Sequence, residues 1–353
     1  MTSKLLPPFK RINNSVSSGL IKQQAEDFEV NEVLVYEPVG EGEHAFVYVR
    51  KIGETTLVVA KKIAELAEVK IRQVSYAGLK DKHALTRQWF SVHLPGKPSP
   101  DWSLLNSESL WVEQSTRHDR KLRQGQIKTN NFKVIIKSLA YTSSSLDDFI
   151  QRVLLVGVPN YFTEQRFGIE ANNLKNALLL LQATTSDAVK PKRKKYSQQR
   201  GLYISAARSL LFNQVLSARV QHDSWNKAID GDLFIKSGRH GMFSVDAIDQ
   251  DIIDRLQTLQ ISPTGPLYGI KSMNVQGQAA CIENNAMSDY SQYQLLLTQQ
   301  KIKADRRALR LVVDDLRVTE LSSDSVQFSF NLPSGCYATA VLREFIHYPG
   351  QML

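Results

Sequence analysis

Three kinds of residue in this chain have a type and setting that could do chemistry. The first is Asp81, in the polar turn Gly78-Leu79-Lys80-Asp81-Lys82-His83. Gly78 permits an unusual backbone angle or a close approach. The flanking lysines and His83 favour an ionised carboxylate. A positioned, ionised carboxylate serves as a nucleophile or a general base. The same pattern also fits a solvated loop. The second kind is aromatic. Phe28, in Glu26-Asp27-Phe28-Glu29-Val30-Asn31-Glu32, and Phe330 either face a core or offer a platform on which a base stacks. The third is polar and basic. Arg117-His118-Asp119-Arg120-Lys121-Leu122-Arg123 reads as an exposed loop or as a segment that meets phosphates. Asn130, a little further on, is either a turn residue or an amide that meets a base edge.

Other chemistries lack their residues. No Gly-rich phosphate loop ends in Gly-Lys-Ser or Gly-Lys-Thr, and no Gly-x-Gly-x-x-Gly follows a strand. The seven histidines contain no His-Glu-x-x-His pair, and there is no Gly-x-Ser-x-Gly elbow. Two cysteines, Cys281 and Cys336, support neither a disulfide framework nor a structural zinc site. No apolar run approaches the roughly 18 residues of a membrane span, and the N-terminus lacks the apolar centre of a secretory signal. A cytoplasmic location is therefore expected. With 353 residues and a net charge of +9, the chain is long enough for two domains and basic enough to suit a polyanionic partner.

The elements that must position these residues are of mixed type. Residues 44–50 are aromatic and β-branched, as strands require. Thr55 or Thr56 caps a helix with Val59, Ile63 and Leu66 on one face. Short strands are expected over 73–77, 89–94 and 132–139, and a helix opens at Ser145. The middle changes style, with a helix over 205–220, a basic loop at 190–195, and five glycines between Gly231 and Gly269. A long helix is expected over 291–309. Strict alternation at Val326, Phe328, Phe330 and Leu332 marks a half-buried strand. Pro333-Ser334-Gly335 turns the chain into a helix over 338–347. This last strand and helix resemble the first part in style, so they are expected to complete its domain around an inserted middle.

Eight segments, in order, resemble the TruD family of tRNA pseudouridine synthases. They are Ala25-Glu-Asp-Phe-Glu-Val30, Gly40-Glu-Gly-Glu-His44, Val74-Ser-Tyr-Ala-Gly-Leu-Lys-Asp-Lys-His-Ala84, Arg117-His-Asp-Arg-Lys-Leu-Arg-Gln-Gly125, Gly157-Val-Pro-Asn-Tyr-Phe-Thr-Glu-Gln-Arg-Phe-Gly168, Ser205-Ala-Ala-Arg-Ser209, Leu332-Pro-Ser-Gly335 and Ala338-Thr-Ala-Val-Leu-Arg-Glu344. The resemblance runs from about residue 19 to about residue 347.

The resemblance implies an α+β fold: a pseudouridine-synthase catalytic domain on a mixed, largely antiparallel sheet, with an inserted family-specific TRUD domain, together V-shaped. On that basis residues 1–155 form the first part of the catalytic domain, 156–305 the insertion, and 306–353 the completion. It also implies isomerisation of uridine to pseudouridine in tRNA, at position 13, with no metal and no organic cofactor. The family's nucleophile falls on Asp81, and its contacts to the target nucleotide fall on Phe28, Asn130 and Phe330. A basic partner for the nucleophile falls on Lys22. The expected partner is tRNA, with no membrane, and the chain is expected to act as a monomer. One departure is Thr55-Thr56, where many members carry Asn-Thr. Two rival classes are a non-catalytic RNA-binding protein and a hydrolase drawing a second carboxylate from Glu26, Asp27 or Glu32.

Overall fold

The computed structural model describes residues 6–13, 17–185, 197–239, 241–271 and 275–348. They fall into two compact units. One holds Ser17–Leu146 with Val313–Gly335. The other holds the described residues of 147–312, together with 6–13 and 336–348.

The first unit is built on a mixed sheet. Its strands are β1 (Phe28–Leu34), β2 (His44–Lys51), β3 (Val74–Tyr76), β4 (Leu85–His93), β5 (Leu110–His118), β6 (Ile127–Ile136), β7 (Asp314–Ser322) and β8 (Ser325–Pro333). Their order is β7-β8-β6-β1-β4-β2-β5, and β3 adds to β4 beside β1. Only β1 and β4 run parallel among these pairs. A β-strand sends successive side chains to opposite faces, so register decides what meets what. Val30 lies opposite Phe132 and Thr86, Phe330 opposite Phe132, and Lys51 opposite Thr86. One face therefore carries Phe28, Val30 and Glu32 of β1, Asn130, Phe132 and Val134 of β6, Phe328 and Phe330 of β8, and Lys51, Thr86 and Gln88 of β2 and β4.

Helix α1 (Thr56–Leu66) starts at Thr55, whose hydroxyl accepts from the Val58 N–H at 3.3 Å. Its Val59, Ala60, Ile63 and Ala64 are buried with Val47, Val49, Phe90 and Val92 of the sheet. Apolar residues at i, i+3 and i+4 produce that stripe. An Asn at residue 55 would cap the same turn, so the Thr55 departure keeps the geometry.

The second unit is helical with a small sheet. Helices Asn172–Thr185 and Ser197–Gln221 pack around a core that includes Tyr161, Phe167, Leu174, Leu210, Phe212 and Leu296. Beside it, Leu233–Lys236, Met242–Ser244, Ile261–Leu267 and Asp305–Ala308 form a four-stranded antiparallel sheet.

Two expected elements are corrected. The helix expected over 291–309 stops at Gln299. Lys301 takes a left-handed φ of 52°, which ends the helix. Asp305–Ala308 then pairs with Ile261–Leu267 as a strand. The helix expected over 338–347 covers only Ala338–Leu342. The unit boundaries also differ from those expected. Val313–Gly335 returns to the large sheet because its alternating apolar residues complete the face beside β6. Gly335, at φ +82°, then turns the chain. Residues 338–342 are buried on every side and join the helical unit, where the Thr339 hydroxyl meets that of Thr163 at 2.9 Å.

Candidate active site

The Asp81 turn is held by its main chain. It links β3 to β4 with few hydrogen bonds of its own, so other elements supply them. Gln88 of β4 donates to the Gly78 carbonyl at 2.7 Å. Thr56, the first residue of α1, accepts from the Lys80 N–H at 2.9 Å and donates to the Gln88 side-chain oxygen at 2.9 Å. That chain leaves neither the hydroxyl nor the amide free to turn over. Lys51, at the end of β2, donates to the carbonyls of Asp81 and Glu54, each at 2.8 Å. The Gly53 N–H reaches the Lys82 carbonyl at 3.0 Å. Lys51 is 1% exposed. Burial pushes its ammonium down to about 8, against the opposing pull of Asp81 and Glu54.

The Asp81 carboxylate is held separately. Its Oδ1 accepts from the His83 N–H at 3.1 Å, and its Oδ2 is ion-paired with Lys22. The Asp81 side chain is one-quarter exposed (25%) and that of Lys22 14%. Burial pushes the Asp81 carboxyl up. The charge and hydrogen bond of Lys22, with the His83 N–H, outweigh it and hold the group below the usual carboxylate range. Lys22 sits in a left-handed conformation, φ 57°, just ahead of β1. Its ammonium lies 4.4 Å from the centre of the Phe28 ring, within cation–π range. The cation at the carboxylate is thus 59 residues away in sequence.

The neighbouring Lys80 turns elsewhere. Its ammonium pairs with Glu32 at 3.0 Å and donates to the side-chain oxygen of Asn130. Glu32 and Asn130 are register partners on β1 and β6. Glu32 also accepts from the Trp89 N–H at 3.1 Å. Burial pushes the Glu32 carboxyl up, against the pull of Lys80 and the Trp89 N–H. Beside them on the same face lie three rings. Phe28 meets Phe132 edge-on at 6.1 Å, and Phe132 stacks on Phe330 at 5.6 Å.

An ionised carboxylate, partly open and gripped through its backbone, is suited to nucleophilic or base chemistry. The chain as a whole matches the family model described as "tRNA pseudouridine synthase D (TruD)" over residues 12–192 and 175–345. This chain belongs to the TruD family. It is 44% identical to the tRNA pseudouridine synthase D of Methylococcus capsulatus over 333 residues, 94% of this chain and 92% of that protein. It is 39% identical to the protein of the same name from Colwellia psychrerythraea over 341 residues, 94% of this chain and 90% of that one. The crystal structure of the putative tRNA pseudouridine synthase D from Methanosarcina mazei has the same fold. The TM-score is 0.70 at 20% identity, over 98% of this chain and 97% of that chain.

Among the positions that TruD resemblance singled out, the structure joins Asp81 to Lys22, Lys22 to Phe28, and Asn130 to Lys80. Phe330 stacks beside Phe132 on the same sheet face as Phe28 and Asn130, and like them it is buried (2%, against 5% and 7%). The basic run divides. Arg117 is spent on the carbonyls of Lys97 (2.7 Å) and Leu94 (3.4 Å), and His118 stacks on Tyr36. Arg120 and Lys121 stay exposed, with Leu122 buried between them and Arg123. The loop 190–195 lies outside the described residues.

Lys51, Thr56, Gln88 and the Lys80–Glu32 pair were not found from sequence as site residues. A signal existed for Lys51. It continues the apolar alternation Val47, Val49 to a position where an unpaired charge would be costly. The rival hydrolase reading needs a second carboxylate. Asp27 is ion-paired with Lys137 at 2.7 Å, and Glu32 is bound to Lys80 and Trp89.

Proposed function

We propose that this chain isomerises uridine to pseudouridine in tRNA, at position 13, with Asp81 as the nucleophile. The supporting observation is the Asp81 carboxylate, kept ionised by Lys22 while its main chain is fixed by Lys51, Thr56 and Gln88. The names of the curated relatives supply the reaction class. In that reaction the N1–C1′ bond breaks, the base turns over, C5 bonds to C1′, the C5 hydrogen leaves as a proton and N1 takes one up. An ionised carboxylate can begin it at the sugar, at the base, or by removing a sugar proton.

The base must leave its stack to turn, at a cost of a few kcal/mol. Phe28, capped by Lys22, and the Asn130 amide are assigned to the flipped nucleotide. Phe330, stacked on Phe132, is assigned to the same nucleotide. The net charge of +9 suits tRNA phosphates. No helix among the described residues is long and apolar enough to cross a membrane. We place the enzyme in the cytoplasm as a monomer, with the sheet unit catalytic and the helical unit as the family insertion.

Tritium release from tRNA carrying uridine labelled at C5 tests the proposal. Wild type should release tritium. Asp81→Asn should release none yet bind tRNA within a few-fold of wild type. Full turnover by Asp81→Asn would remove Asp81 from its role. Binding without release by wild type would leave a non-catalytic RNA-binding protein.

A further inference from the structure

The bond from Lys80 to Asn130 settles which way the Asn130 amide faces. An ammonium has three donors and no acceptor. It can only meet the amide oxygen, so the NH2 group is turned away from Lys80. Lys80 cannot easily swing aside, because its ammonium is paired with the buried Glu32 at 3.0 Å, and Glu32 is anchored by the Trp89 N–H. Glu32 is 3% exposed and Asn130 7%. Among the described residues no hydrogen bond from the Asn130 NH2 is formed. Lys80 is also the residue before Asp81, and its own N–H is fixed by Thr56. The amide is thus tied to the nucleophile turn as a donor of fixed sense.

We infer that Glu32 and Lys80 are positioning residues that lock Asn130 as a hydrogen-bond donor to a carbonyl oxygen of the target uracil, and so select uracil over cytosine. This rests on the proposed function and deepens it. The chemistry of the base makes a donor the fitting choice. Uracil carries carbonyls at C2 and C4, related by the axis through N3 and C6. Turning the detached base about that axis exchanges N1 with C5 and O2 with O4. A donor that holds one carbonyl before the turn therefore meets the other after it. Cytosine has an amino group at C4, which a locked NH2 repels in one of the two orientations. A freely rotating amide would offer its oxygen to that amino group and lose the distinction.

The test compares tRNA transcripts with uridine, 2-thiouridine or 4-thiouridine at the target position, followed by product analysis of the nucleosides. Sulfur is the poorer acceptor. Wild type should prefer uridine over at least one thio analogue in kcat/KM by about threefold to tenfold, the worth of one neutral hydrogen bond. In Asn130→Ala and Lys80→Met the preference should fall to within about twofold, beyond any general loss of activity. Lys80→Arg, which keeps a donor-only head, should restore it. A folded Lys80→Met with the full wild-type preference would overturn the inference. So would a wild type that treats all three bases alike.

If Lys80→Met leaves Glu32 uncompensated and does not fold, two other variants give the same reading. The double variant Glu32→Gln/Lys80→Met removes the charge and keeps an acceptor for Trp89. Asn130→Asp still accepts from Lys80 but has no NH2; wild-type kcat/KM in that variant would also overturn the inference. Failure of wild type to turn over natural tRNA would instead strike the proposed function, and this inference with it. Those two failures are distinct, because the second is read on uridine alone.

Discussion

Replacing Lys22 by Met separates the charge at Asp81 from everything else that shapes it. The substitution keeps a long unbranched side chain over Phe28. A Met at φ 57° meets the same left-handed strain as a Lys, so the backbone cost is shared by both proteins. What is lost is an ionic hydrogen bond to a carboxylate one-quarter exposed. Hydrogen bonds to charged groups contribute about 1.5–3 kcal/mol. At 1.36 kcal/mol for each factor of ten, kcat/KM should fall about tenfold to a hundredfold. The pH dependence should change in a set direction. With Lys22 gone, the burial that pushes the Asp81 carboxyl up is opposed mainly by His83, so the acid limb of the rate profile moves up in pH. Stability follows the same sign. A carboxyl held low in the folded state stabilises above its unfolded pKa, and that stability disappears as the pH falls through the folded value. The melting temperature of Lys22→Met should therefore fall short of wild type at neutral pH and converge with it in acid. Tritium release measured across the pH range, with thermal melts in the same buffers, reads both. An unchanged acid limb and unchanged kcat/KM would refute the account of Lys22.

Three other perturbations probe the frame. The buried Lys51 has its ammonium lowered to about 8, against 10.5 for a free lysine. Between those values the unfolded chain binds more protons, so wild-type stability should rise with pH relative to Lys51→Met; identical pH slopes would contradict this. Thr56→Val leaves the Lys80 N–H and the Gln88 oxygen without their shared partner. It should cost about 1–3 kcal/mol in denaturant melts and lower kcat more than it raises KM, whereas an intact kcat would show that the turn holds itself. Phe28→Ala empties a core position beneath Lys22, costing about 3–5 kcal/mol, and should raise KM or cut kcat. A stable variant with wild-type kcat/KM would remove Phe28 from the substrate role.

What could be read from sequence follows from distance along the chain. Helix α1 was legible because its cap and stripe lie within eleven residues. Strand β8 was legible because alternation is local. The expected helix over 291–309 was wrong because a polar, leucine-bearing stretch satisfies helical spacing. Pairing of Asp305–Ala308 with a strand forty residues earlier overrides that local preference. The active site divides in the same way. Lys80 and Lys82 flank Asp81, and adjacency suggested that they keep it charged. The peptide geometry sends Lys80 to Glu32, while Lys22 arrives from 59 residues away. Only the order of β1, β4 and β6 in the sheet brings those partners together. Phe330 shows the same division: its alternation marked a strand residue, and only register sets it beside Phe132 on the face that carries Phe28 and Asn130.

The arrangement around Asp81 divides two tasks that compete in a nucleophile. A carboxylate that is to attack must be held in place, yet each hydrogen bond to its oxygens weakens them as electron donors. Here the holding is largely transferred to the main chain. Lys51 grips the Asp81 carbonyl, Thr56 the Lys80 N–H, and Gln88 the Gly78 carbonyl, while Lys22 meets the carboxylate as the tuning charge. Lys51 and Gln88 lie on the sheet face that also carries the apolar core, and Thr56 lies at the start of the helix packed on it. Each would be costly there without its partner. Their cost is offset within a closed network in which Thr56 serves Lys80 and Gln88 at once. It follows that substitutions of the neutral frame residues Thr56 and Gln88 should lower turnover without altering the charge of Asp81, and that substitution of Lys22 should alter the charge without loosening the turn. The two classes are separable by experiment, because only the second moves the acid limb of the pH profile.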